Sequence, residues 1–189
     1  MRIYLDTSAY LLRFSDEPPQ SYLVNEIFDK CEQGKLTIVT SFWTISECIA
    51  ALDQAFTKKG RISRHERNAL ISSLLGKTID MSKQKHLVLI EPNEKMIYTS
   101  WSIIRRRHLS ADDALHAFTA KVGQCDLFVL ADDYFARRMK EEGEIEEEDL
   151  TESEQFSFGV TAKINNVWKL SRTLTYTHFS DFKGCHIHR

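Results

Sequence analysis

Residues 3–8 read Ile-Tyr-Leu-Asp-Thr-Ser, an apolar run that stops at a carboxylate followed at once by two hydroxyls. A short, nearly continuous apolar run suits a strand covered on both faces. An acid at its exit suits either a helix cap or a ligand site. The pattern recurs along the chain at residues 36–42 (LTIVTSF), 87–90 (LVLI) and 127–131 (LFVLA). Four such runs, separated by longer segments of helical period, predict an α/β protein with a parallel sheet.

The helical segments can be placed from their stops and caps. SYLVNEIFDKCEQG runs to Gly34, WTISECIAALDQAFTKKG runs to Gly60, and a third segment spans about Ser63 to Leu75. After the third strand, Pro92 and Asn93 lead into EKMIYTSWSIIRRRH, and Ser110 opens ADDALHAFTAKVG, which ends at Gly123. Trp43 and Trp101, within these segments, are read as core anchors.

Beyond residue 140 the texture changes. Residues 141–154 (EEGEIEEEDLTESE) hold nine acids and no base, which leaves 25 bases against 18 acids elsewhere, a formal +7. That asymmetry leaves room for an anionic partner such as RNA, although a mildly basic surface is common in proteins that bind none. The nine acids suggest a segment that mimics phosphate charge and shields a basic cleft. Residues 155–189 form a C-terminal extension in which Phe156, Phe158, Val160, Ala162 and Ile164 alternate before Asn165-Asn166, the pattern of a hairpin.

At 189 residues and 42% hydrophobic, the chain supports one sizeable core with an appendage: a domain over 1–140, then the acidic segment and the extension. Cys31, Cys48, Cys125 and Cys185 have no paired spacing for a zinc site, a redox motif or a disulfide framework, which fits a reducing, cytoplasmic setting. No apolar stretch approaches the roughly 20 residues needed to span a bilayer, and Asp6 interrupts any signal-peptide core, so no membrane partner is expected.

In a parallel sheet, ligands collect beyond the carboxyl ends of the strands. Asp6 leaves the first strand and Asp132 the fourth, Glu47 lies about one turn into the helix after the second, and Asp113 lies in the first turn of the helix opened by Ser110. Each has a plain alternative. Ser110-Ala111-Asp112-Asp113 matches a capping box, strand-exit Asp residues often cap helices, and Glu47 could be a solvated helix residue.

Taken together, Asp-Thr-Ser after the first strand, Glu47, DALHAFTA over 113–120 and FVLADDYF over 128–135 resemble the PIN domain. That family comprises metal-dependent ribonucleases, among them the VapC-type toxins of toxin and antitoxin pairs. Over residues 1–140 the resemblance implies a three-layer α/β/α fold with a mostly parallel central sheet, and an acidic cluster of Asp6, Glu47, Asp113 and Asp132. The chain departs from the family pattern at Leu130, where a Thr often stands two residues before the last Asp. The doubled acids Asp112-Asp113 and Asp132-Asp133 leave the register open by one residue; DALH favours Asp113, and the spacing to Phe135 favours Asp132.

Bringing two carboxylates to about 5 Å costs on the order of 3 kcal/mol at an effective dielectric near 20. Four therefore call for a cation, and oxygen ligands of this kind suit Mg²⁺ or Mn²⁺. The implied reaction is hydrolysis of an RNA phosphodiester, with Asp6 and Asp113 as principal ligands, Asp132 completing the set and Glu47 binding or deprotonating the attacking water. Thr7 or Ser8 is expected to orient a water or a phosphate oxygen. Arg105, Arg106 and Arg107 either grip phosphates or complement the negative end of their own helix. Lys58, Lys59, Arg61, Arg64 and Arg67 read as a solvated face, His116 as a packed or hydrogen-bonded histidine, and the GCHIHR tail as a frayed terminus. An antitoxin chain and a second copy of the chain, as a homodimer, are the expected protein partners. The rival readings are a non-catalytic RNA-binding or scaffold protein on the same fold, and a phosphoacceptor receiver. The latter needs an acidic pair near the first strand and a Lys after the last, and neither is evident.

Overall fold

The computed structural model of the protein describes residues 1–14, 20–58, 60, 62–140, 158–164 and 167–172. The acidic segment, Lys59, Arg61, the Asn165-Asn166 pair and the GCHIHR tail lie outside the described residues. In chain order the elements are β1 (Arg2–Leu5), α1 (Thr7–Leu11), a 3-10 turn (Leu12–Phe14), α2 (Gln20–Glu32), β2 (Thr37–Ser41), α3 (Phe42–Thr57) and α4 (Arg64–Lys83). They continue with β3 (Leu87–Ile90), α5 (Glu94–Arg107), α6 (Ala111–Val122), β4 (Leu127–Leu130), α7 (Asp133–Lys140), β5 (Phe158–Ile164) and β6 (Val167–Arg172).

The sheet runs in the order β3-β2-β1-β4-β6-β5. The first four strands are mutually parallel, while β6 pairs antiparallel with both β4 and β5. Because side chains alternate along a strand, each central strand feeds two cores. Ile3, Leu5, Ile38, Leu87, Leu127 and Val129 pack on one side against α2, α3 and α4 through residues such as Phe28, Ile45, Leu74 and Met81. Tyr4, Val39, Phe128 and Leu130 pack on the other against Ala114, Ala117 and Ala120 of α6 and Phe135, Ala136 and Met139 of α7. This is the expected α/β/α sandwich with a mostly parallel sheet.

Caps fix where the helices start. Ser63 and Glu66 form a reciprocal capping box on α4, Asn93 caps α5 and Ser110 caps α6. Helix α4 runs two turns beyond the stop expected near Leu75, to Lys83, because Thr78 and Met81 continue its buried stripe after Leu74. Gly123 ends α6 with φ −67, so its role is spatial: a Cβ there would lie 2.7 Å from Val39 Cγ1.

The two tryptophans depart from their expected place in the core. Trp43 is 40% exposed and Trp101 53% exposed. Helix α5 buries Met96 and Ser100 with Ile103 and Ile104 partly covered, so Trp101, one residue on from Ser100, points about 100° away and instead packs edge-on to exposed Tyr98. Helix α3 turns Thr44, Ile45 and Cys48 inward, leaving Trp43 at its rim. Arg67 is less of a solvated residue than its sequence suggests, since it pairs with Asp53 at 2.9 Å and lies over the Phe56 ring, while Lys58 and Arg64 are exposed. Cys31, Cys48 and Cys125 are buried free thiols. Among the described residues no helix is long and apolar enough to cross a membrane.

Candidate active site

From β1 the chain crosses to β2 and β3 on one side, whereas β4 lies on the other side of β1. The carboxyl ends of β1 and β4 therefore flank the point where the strand order reverses, the usual place for a ligand in an open α/β sheet. The two exits are stitched together: the Asp6 N–H donates to the Val129 carbonyl at 3.3 Å, and the Ala131 N–H donates to Ser8 Oγ at 2.8 Å.

Asp6 is buried at this seam, 5% exposed. Its carboxylate caps α1 by accepting the Ala9 N–H at 2.7 Å, and the Ser8 hydroxyl donates across both oxygens at 2.8 and 2.9 Å. Burial nevertheless pushes its pKa up to about 6, with the Asp113 charge adding to the rise and His116, Ala9 and Ser8 opposing it.

Asp113 stands half-buried in the first turn of α6, its N–H donating to Ser110 Oγ at 3.1 Å, while Asp112 beside it is exposed. Its carboxyl is likewise held above the usual range by burial and by the negative charges of Asp132 and Asp112. Asp132 is exposed and caps α7 through the Phe135 N–H at 2.9 Å. Asp6, Asp113 and Asp132 thus form an electrostatically linked series along one sheet edge.

Glu47 approaches from α3. It accepts hydrogen bonds from the Thr7 hydroxyl and from His116 Nε2 at 2.7 Å. Partial burial alone would raise its pKa, but these partners outweigh burial and hold it below the usual carboxylate value. His116, from α6, is buried at 4% exposure, and its other ring nitrogen meets the Tyr4 hydroxyl at 2.8 Å. Burial would lower its pKa; the Glu47 bond and charge, reinforced by Asp6 and Asp113, raise it instead. Behind Tyr4 the chain of polar groups continues through Thr44 at 3.3 Å to Ser41 at 3.0 Å. With Glu47 ionised, Nε2 must carry a proton, so the Nε2–H tautomer and the imidazolium both satisfy this chain, because the Tyr4 hydroxyl can donate to or accept from Nδ1.

The arginines expected on the substrate side end α5 beside this edge. Arg105 is exposed, and Arg106 and Arg107 are half-buried. The Arg107 carbonyl accepts from Arg138 Nε at 2.7 Å and the His108 carbonyl from the Tyr134 hydroxyl at 3.0 Å, which ties the end of α5 to α7.

A family model for the PIN domain matches residues 3–141. The chain belongs to the PIN domain family. PIN domains are typically nucleases that use divalent metal ions. No curated protein matches the chain in sequence. Among solved structures, it is similar to a sarcin-ricin-loop-cleaving VapC toxin of Mycobacterium tuberculosis, at 13% identity and a TM-score of 0.47, covering 66% of this chain and 85% of that one. A protein of Pyrobaculum aerophilum aligns at 21% identity and 0.49, covering 73% and 84%. A VapBC complex of Rickettsia felis bound to promoter DNA aligns at 18% and 0.46, covering 72% and 92%.

Among the described residues of this PIN domain, no three His, Cys, Asp or Glu side chains stand close enough to grip an ion together. The chemistry of the donors nonetheless fits one. All are hard oxygens, and two of the carboxyls are raised by burial and by neighbouring negative charge, Asp6 by Asp113 and Asp113 by Asp132 and Asp112, a penalty that a divalent cation offsets. Sequence reasoning passed over Tyr4, Thr44 and Ser41, whose polar atoms are buried beneath the site. No local pattern marks them, because the Tyr4–His116 contact spans 112 residues.

Proposed function

We propose that this PIN domain is a metal-dependent endoribonuclease that hydrolyses RNA phosphodiester bonds. The observation that carries the proposal is buried Asp6 at the strand-order reversal, its carboxyl pushed up by burial and further by the Asp113 charge, with Asp113 itself raised by burial and by Asp132. Asp6 and Asp113 would hold Mg²⁺ or Mn²⁺, with Asp132 and Glu47 completing the set. A cation bound there would polarise the phosphate and lower the pKa of the attacking water.

The chain's own residues supply the rest. Glu47, ionised at neutral pH and held by Thr7 and His116, orients the attacking water and receives its proton. Thr7 spends its proton on Glu47, so its oxygen is left to accept from a water rather than donate to a phosphate. Ser8 donates to Asp6 and accepts from Ala131, and its work is to hold that carboxylate in place. Arg105, Arg106 and Arg107 border the edge as phosphate contacts.

The test is cleavage of RNA with Mg²⁺ or Mn²⁺. Activity is expected to vanish with a chelator and to fall at least about a hundredfold in Asp6→Asn, beyond the 10- to 100-fold typical of residues that only support a metal ligand. Metal-independent cleavage, or an Asp6→Asn variant as active as the parent, would contradict it. A toxin role with a separate antitoxin chain, and assembly as a homodimer, belong to the same proposal. Both are checked by growth arrest on expression and by the mass of the purified protein in solution.

A further inference from the structure

Tyr4 lies fully buried on β1, two residues before Asp6 and out of reach of any substrate. Its hydroxyl meets His116 Nδ1 at 2.8 Å and the Thr44 hydroxyl at 3.3 Å. The other ring nitrogen of His116, Nε2, lies 2.7 Å from Glu47 Oε2. Thr44 and Glu47 are one turn apart on α3, so they share a face of that helix. The hydrogen bonds therefore leave α3 at Thr44, pass through Tyr4 of β1 and His116 of α6, and return to α3 at Glu47, with the helix itself closing the ring. Ser41 Oγ, the N-cap of α3, holds Thr44 at its hydroxyl and at its N–H, each at 3.0 Å. The terminal torsion of a histidine is broad, and a partner on each nitrogen removes the rotation that packing alone would leave. The Thr7 and His116 bonds both end on Glu47 Oε2, so the carboxylate is anchored through that oxygen.

We infer that Tyr4 is a positioning residue for Glu47: its hydroxyl aims the His116 imidazole, which holds Oε2 and so presents Oε1 to the attacking water. This inference rests on the ribonuclease reading and deepens it. Packing does not require the hydroxyl, since the Tyr4 ring meets Phe128 edge-on at 4.9 Å and a phenyl ring would do the same. Nor does stability require the network, because apolar groups of the same shape in place of both hydrogen-bond partners are close to neutral. What a fully satisfied buried network supplies is a single arrangement of its members, and here the member at its open end is Glu47.

The experiment has two readouts. The first is the NMR signal of the His116 Nε2 proton in metal-free protein at neutral pH, carrying isotope-labelled histidine and assigned by its loss in His116→Gln. A hydrogen bond to a carboxylate draws this signal downfield. Tyr4→Phe should move it upfield, toward its position in Glu47→Gln. Tyr10→Phe is the control: it is the same change at a buried tyrosine on the other face of the sheet, bonded to Thr78 at 2.7 Å, and it should leave the signal in place. The second readout is steady-state RNA cleavage. Tyr4→Phe should lower kcat about tenfold, the lower end for a residue that acts through another, with KM unchanged. In the His116→Gln background Tyr4→Phe should lower kcat no further, because its route to Glu47 is gone. An unmoved signal in Tyr4→Phe, an equal shift in Tyr10→Phe, or a kcat that Tyr4→Phe leaves alone or lowers equally with and without His116 would overturn the inference. A parent that never cleaves RNA but shows the expected shifts would count against the ribonuclease reading alone and leave the orientation of Glu47 by Tyr4 standing.

Discussion

Asp6 sits where its charge is least welcome, and its titration therefore reports on the site. With a folded pKa of about 6 against an ordinary value of 3.8, the folded protein holds a proton on Asp6 that the unfolded chain releases. Without a cation, stability should be greatest below the unfolded value and decline as pH rises from about 4 to about 6. Asp6→Asn removes that penalty, so melts of metal-free protein at pH 7.5 should show the variant more stable by on the order of 1 to 3 kcal/mol, with little difference at pH 4. The Glu47–His116 pair is instead most stabilising at intermediate pH. The lowered Glu47 pKa contributes stability that is lost on acidification, and the raised His116 pKa contributes stability that is lost as pH rises through its folded value. Tyr4→Phe strips a buried partner from His116 Nδ1 and should cost about 1 to 3 kcal/mol in urea titrations. Strand exits and a family resemblance nominate the four acids as candidates, because position along a short element limits where a side chain can go. Their partners could not, because a contact such as Tyr4 to His116 is made only when distant elements pack.

Among elements, the strands and most helices were legible for a plain reason. Apolar runs of four or five residues and caps such as Asn93 and Ser110 act locally. What stayed hidden was which face of a helix the sheet would cover: Trp101 lies one residue from buried Ser100 yet stands in solvent. Glycine makes the same contrast testable. Gly123 is a helix stop in the sequence, but the structure gives it a second duty, since a Cβ would meet Val39 Cγ1 at 2.7 Å, Ile90 Cδ1 at 3.1 Å and Cys125 Sγ at 3.2 Å. Gly123→Ala should lose about 1 to 3 kcal/mol from overpacking. Gly76, within α4, has nothing within 4 Å, so Gly76→Ala should gain roughly 0.5 to 1 kcal/mol, both read from denaturant midpoints. Ser110→Ala should cost about 1 kcal/mol by uncapping α6 and should also loosen Asp113, so its effect on cleavage should exceed its effect on stability.

For the whole molecule, an α/β protein with a parallel sheet could be expected from alternation and the three-layer sandwich from the family resemblance, but alternation does not give the order β3-β2-β1-β4, and that order is what brings the exits of β1 and β4 together. The proposed site would be a product of topology, since its candidate residues 6, 47, 113 and 132 belong to four different parts of the chain's element order. The account's central claim is that these acids share one divalent cation. Calorimetric titration of Mn²⁺ into metal-free protein at pH 7.5 tests it most directly, with Asp6→Asn, Asp113→Asn and exposed Asp112→Asn alongside the parent. The account predicts saturable binding by the parent, retained in Asp112→Asn and weakened at least about tenfold in each of the other two. No binding by the folded parent, or equal affinity in all four proteins, would contradict it.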